Sequence, residues 1–164
     1  APTPSREPYL QSRMLLDSPN SNAAPSVIGG MAPLFQKSVE VLDYRRLGKQ
    51  RVETFQVLNI LLERTPTKGW RNHPVTLMWT GYESALKLYQ NITIYEWVSR
   101  GYKNNMRYEE VNLDSVVMPA WFGIEEFHRS HRSNLLRKDF GYYSQYFDEP
   151  NDLEYYWPGV SYAA

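Results

Sequence analysis

Residues 38–62 read SVEVLDYRRLGKQRVETFQVLNILL, and this stretch decides the fold class. Val52, Phe55, Leu58 and Leu61 or Leu62 recur at the three-to-four-residue spacing that puts side chains on one side of an α-helix, so they predict a buried helical face. Gly48 is expected to mark a bend or break within it. A second set of residues shares another stripe of the same helix. Arg46, Lys49, Gln50 and Glu53 are separated by three, four and seven positions, which sets a carboxylate among cations. Arg and Lys on such a stripe suit backbone phosphates, while Glu53 suits acid/base work or stabilisation of a sugar cation. The same residue types also describe an ordinary solvated face with paired charges, and spacing alone leaves both readings open.

Outward from this helix the chain keeps a helical pattern. Thr65-Pro66-Thr67-Lys68-Gly69 ends the first segment, and Pro74 sits where a first helical turn tolerates a missing N–H. Met78, Tyr82, Leu86, Tyr89 and Trp97 then predict a second helix running to Arg100-Gly101. Residues 102–120 read as an irregular connection closed by Pro119, and a third helix is expected from about Ile124 to Lys138, ahead of the aromatic stretch Tyr142, Tyr143, Tyr146 and Phe147. No internal repeat or strand-like alternation is visible. The expected architecture is all-α, a compact single-domain helical fold over residues 31–164. Residues 1–30 differ, with Pro2, Pro4, Pro8, Pro19 and Pro25 among Ser, Asn and Ala, and read as an extended N-terminal arm. It is either a tail or a segment that orders on a partner through Tyr9, Leu10, Met14, Leu15 and Leu16.

Composition narrows the chemistry. The 164 residues, 42% of them hydrophobic, suffice for one core, and the absence of cysteine removes disulfides, thiolate metal sites and cysteine nucleophiles. No apolar run has the length of a membrane span, so the chain reads as soluble. Lys plus Arg and Asp plus Glu each total 18, so any polyanion must be met by local distribution of charge rather than by net charge. Basic residues gather at Arg45, Arg46, Lys49 and Arg51 and again from Arg129 to Lys138, whereas Asp148, Glu149, Asp152 and Glu154 make the far end acidic. The third helix offers His128, Arg129, His131 and Arg132, followed by Arg137 and Lys138. This dense set fits phosphate binding, and equally a surface helix whose last-turn cations favour the helix dipole. Aromatic residues, 15% of the chain, fill a core or stack on unpaired bases, and core is the favoured reading for most of them. His73, His128 and His131 complete no metal-ligand pattern, and no cofactor-binding loop is present.

Taken in order, Leu42-Asp43, Arg46 through Glu53, Trp70-Arg71-Asn72-His73-Pro74, Met78-Trp79, Trp97 through Tyr102, and Ser130-His131-Arg132-Ser133 to Arg137-Lys138-Asp139 resemble the endonuclease V-like pyrimidine-dimer DNA glycosylases. The blocks span about Phe35 to Pro158. The resemblance implies a small all-α domain that bends duplex DNA, exposes the lesion by base flipping and acts through an imine to a primary amine in glycosylase and AP-lyase steps. It implies that Glu53 is the assisting glutamate, and that Arg46, Lys49, Arg51, His73, His131, Arg132, Arg137 and Lys138 are DNA contacts. It also places the reactive amine just ahead of the first helix. Ala32 meets that requirement only if processing at Met31 exposes its amine, because the arm otherwise precedes it, and this leaves catalysis conditional. The expected partner is therefore duplex DNA, with no cofactor and no metal. The alternative is a catalytically silent structural subunit of an organellar or viral assembly, docked on protein neighbours through residues 1–30. Compartment is not legible in these residues.

Overall fold

The structure, a computed structural model, describes residues 35–66 and 69–157. The arm 1–30, Ala32 and Pro158 lie outside the described residues. After a helical stretch over 35–40 come α1 (Tyr44–Leu61), α2 (Pro74–Trp79), α3 (Glu83–Ser99), two 3-10 turns (Leu113–Ser115 and Ala120–Gly123), α4 (Glu125–Lys138) and the short α5 (Phe140–Tyr143). Among the described residues there is no strand, so the all-α expectation holds. The chain continues past α5 as an extended strap, 148–157, that lies along α4.

The face that α1 buries is broader than its apolar periodicity suggests. Leu47, Arg51, Thr54 and Leu58 form one buried stripe and Gln50, Glu53, Val57 and Ile60 a second beside it, while Val52, expected inside, is 39% exposed. Two buried stripes mean that neighbours cover the helix on two sides. α3 covers the first, where Arg51 reaches Trp97 and Asn104, and Arg46 at the start of α1 reaches the last turn of α4. Half of the buried positions are polar, so a pattern built from apolar residues alone points to the wrong edge of the helix.

Gly48 does not break α1. A Cβ added there would lie 3.1 Å from Cζ3 of Trp97 and 3.3 Å from its Cη2, so the glycine lets the indole lie against the helix backbone. The break falls elsewhere. The single helix expected from Pro74 to Arg100 is two, because Gly81 adopts φ +90° between α2 and α3. α2 begins with Pro74 in its first turn and with the His73 ring accepting from the Val75 N–H at 3.0 Å. α3 ends where expected, at Arg100-Gly101, and α4 lies within a residue of its expected bounds, with Glu125 and Glu126 in its first turn and Arg137 and Lys138 in its last.

A small polar junction holds the two halves together. The Tyr143 hydroxyl donates to Asp43 Oδ1 at 2.5 Å and accepts from the Asp43 N–H at 3.3 Å, although the two residues are 100 positions apart. Arg46 pairs with the same carboxylate at 3.3 Å and donates to the Lys138 carbonyl at 3.4 Å. Burial first, and the bond to Asp43 second, push the Tyr143 phenol far above its ordinary pKa, so it stays a donor throughout the physiological range. Tyr143→Phe leaves a half-buried carboxylate short of a charge-assisted bond and is expected to destabilise the fold by about 1.5–3 kcal/mol. A urea midpoint unchanged from the parent would show that the junction does not hold the halves.

Candidate functional site

Glu53 is at most 2% exposed, inside the second buried stripe of α1. A carboxylate withdrawn from water costs free energy unless its surroundings compensate or its chemistry uses it. One turn earlier, Gln50 is fully buried and donates to Thr54 Oγ1 at 2.9 Å. Lys49 lies on the exposed side of the same turn, and Arg46 a turn before it. The structure thus keeps Arg46, Lys49 and Glu53 on one helix, with Lys49 toward solvent, Arg46 largely covered against Asp43 and the end of α4, and the carboxylate inward. The Arg46 contact brings Lys138 to the same end of the molecule, with Arg137 exposed one residue before it.

Arg51 stands apart from this group. Its guanidinium carbon lies 4.7 Å from the centroid of the Trp97 ring, and it donates to Asn104 Oδ1 at 3.0 Å. Burial lowers its pKa from the usual arginine value. Its role in this geometry is to tie α1 to the end of α3.

The α4 residues expected to grip phosphate are largely turned to the protein itself. Arg132 donates to Glu149 at 2.6 Å and to Glu125 at 2.8 Å, and its side chain is nearly buried. Ser133 Oγ donates to the Pro150 carbonyl at 2.5 Å and accepts from the Leu153 N–H at 3.0 Å, Ser130 Oγ accepts from the Tyr156 N–H at 3.2 Å, and Arg137 donates to the Leu153 carbonyl at 3.3 Å. These hydroxyls and guanidiniums satisfy the backbone of a strap that has no ladder partner. His131 has no exposed surface and packs against Phe127, Tyr155 and Trp157. A DNA phosphate has no route to His131 in this arrangement, and at Arg132 it would have to displace two carboxylates. His128 is also buried, with Nε2 against the Phe122 carbonyl.

His73 is better placed for a ligand. Its ring stacks on Trp70 at 5.2 Å and meets the edge of Trp157 at 5.6 Å, and Trp157 in turn contacts His131. With Nδ1 accepting from Val75, the remaining ring nitrogen carries any proton the neutral ring holds. Among the described residues no group of three His, Cys, Asp or Glu is placed to hold a metal, and no helix is long and apolar enough to cross a membrane.

The first long helix thus carries a buried glutamate and an exposed lysine, and the second is capped by a histidine. Residues 30–110 match the family model of pyrimidine dimer DNA glycosylases. The match supports the resemblance drawn from the motifs, a DNA substrate and a DNA repair glycosylase in general. It covers α1 to α3, with Glu53, Lys49 and His73, and stops before α4 and the strap. No curated protein and no solved structure matches the chain. Sequence reasoning missed the Asp43–Tyr143 junction and the strap, because both depend on pairings over long separations. It also passed over Tyr44 and Tyr102, whose aromatic character did not distinguish surface from core.

Burial, then the neighbouring His128, holds the His131 pKa well below the usual 6.5. The folded ring stays neutral where the unfolded one protonates, so folding stability is complete above about pH 6.5 and falls as the pH drops below it. Denaturation midpoints at pH 7.5 and 5.5 are expected to differ, and His131→Gln to shrink the difference. An undiminished difference in the variant would place the pH sensitivity elsewhere.

Proposed function

We propose that the chain is a DNA repair glycosylase with AP-lyase activity on ultraviolet-type pyrimidine dimers, working through an imine to a primary amine with Glu53 assisting. The observation that best supports this is the burial of Glu53 on α1 within the matched segment, one turn from the exposed cation Lys49. Cations at the rim suit phosphates, and a carboxylate away from water suits a developing positive charge on the sugar. In the reaction, the amine nitrogen bonds to C1′ as the glycosidic C–N bond breaks with its electron pair leaving on the base, which takes up a proton; the nitrogen gives up a proton, and the C1′–O4′ bond then opens with its pair going to O4′, which is protonated, leaving the C1′=N imine. Loss of a C2′ proton then expels the 3′ phosphate. Glu53 acts as the local acid/base and electrostatic partner in these steps. The primary amine is that of Ala32 once the chain begins there. Arg46, Lys49, His73, Arg137 and Lys138 supply phosphate contacts; Arg51 supports them from behind through Trp97, and His131 and Arg132 through the strap.

A second reading, a structural subunit docked through residues 1–30, is favoured by one observation: the arginine at the centre of the basic helix, Arg132, is engaged by Glu125 and Glu149. The two readings separate on a single substitution. Glu53→Gln is expected to abolish incision of ultraviolet-irradiated duplex by the form starting at Ala32, at least about 100-fold for loss of an acid/base group, while duplex affinity stays within a few-fold. Equal incision by parent and variant would remove Glu53 from the mechanism. No incision by the folded parent would favour the subunit.

A further inference from the structure

Away from Glu53, the start of α1 and the end of α3 build a continuous aromatic surface. The Trp97 ring lies against α1 at Gly48, held by its Nε1 donating to the Lys103 carbonyl at 2.9 Å. Gly101, at φ +89°, turns the chain back so that Tyr102 meets Trp97 with ring centroids 4.5 Å apart, and Tyr102 in turn lies 6.3 Å from Tyr44. The row does not close over as a core does. Tyr44 is 52% exposed and Tyr102 38%. Arg51 backs the row from inside, over Trp97, and Arg45 sits at its outer edge, 5.8 Å over the Tyr44 ring and donating to its hydroxyl at 3.2 Å. Lys49 and Lys103 are exposed beside it. The carboxylates next in sequence to the row are already engaged, Asp43 by Arg46 and Tyr143, and Glu96 by Arg100 and Gln36.

An apolar protein contact would bury such rings among aliphatic side chains and neutral surface. Here two half-exposed tilted rings are flanked by cations, and that combination matches a nucleotide, whose base offers a flat π-face and whose phosphate offers the opposite charge. We propose that Tyr44 and Tyr102 form a platform on which an unpaired base of the DNA stacks, with Arg45, Lys49 and Lys103 meeting the adjoining phosphates. The inference rests on the DNA reading above and adds to it a second contact region at the start of α1 and the end of α3. It selects for bases already out of the duplex stack, because only they present a face to the rings.

The test uses the full chain and a fluorescent twelve-residue oligothymidylate, alongside an undamaged hairpin duplex and an abasic oligonucleotide of the same length. The parent is expected to bind oligothymidylate more tightly than the abasic strand. Tyr44→Ala combined with Tyr102→Ala is expected to weaken oligothymidylate binding by about 10-fold or more, leaving hairpin affinity and the slope of affinity against salt nearly unchanged. The paired Phe substitutions are expected to restore parental binding, since the ring and not the hydroxyl does the stacking. Thermal melts show whether each variant is folded. Equal affinity of parent and double Ala variant, equal affinity for the base-bearing and abasic strands, or a change only in self-association overturns the platform. If the Ala variant loses oligothymidylate while the folded parent does not incise irradiated duplex, the platform stands and the glycosylase mechanism falls. If the Ala variant binds oligothymidylate as the parent does while the parent incises and Glu53→Gln does not, the reverse holds.

Discussion

Asp43 is where the molecule is joined. It stands at the position before α1, where a short acidic side chain ordinarily caps the first free N–H groups, yet it makes no such bond. Its carboxylate is given instead to Tyr143 and Arg46, and through Arg46 to the carbonyl that ends α4. One carboxylate therefore fixes the angle at which α1 enters and the place where α4 and α5 meet it. Everything functional on α1 inherits that angle. Lys49 faces solvent and Glu53 faces inward because the helix is held from α3 on one side and at its first turn from α4 on the other. The strap depends on the same junction, since it runs along α4 and places Trp157 against His73.

How much of this is legible in the residues follows from how local each signal is. The bounds of α4 and the ends of α1 and α3 come from short-range chemistry, with Pro74 in a first turn, Gly101 past a last turn, and acidic and basic residues at opposite ends of α4. Gly48 and Gly81 exchange meanings. The first serves an indole from a helix about fifty residues away, while the second makes a left-handed turn that a continuous apolar stripe conceals. The inward face of α1 is hidden for a related reason: Gln50, Arg51, Glu53 and Thr54 are buried by neighbours that only the fold brings together.

The site was legible in parts. Arg46, Lys49, Glu53 and His73 all fall within the family match over residues 30–110. The basic helix was the deceptive part, since a run of Ser, His and Arg looks the same whether it faces phosphate or the backbone of its own strap. Ser130, Ser133 and Arg137 turn to the strap and Arg132 to two glutamates.

The most direct measurement is borohydride trapping on ultraviolet-irradiated duplex, with the full chain and with the form starting at Ala32 compared side by side. Reduction converts an imine between amine and sugar into a stable covalent adduct. The form starting at Ala32 is expected to give a protein–DNA adduct that depends on irradiation of the DNA. Folded protein that yields no adduct in either form would contradict amine-based glycosylase chemistry and leave the domain as a structural element.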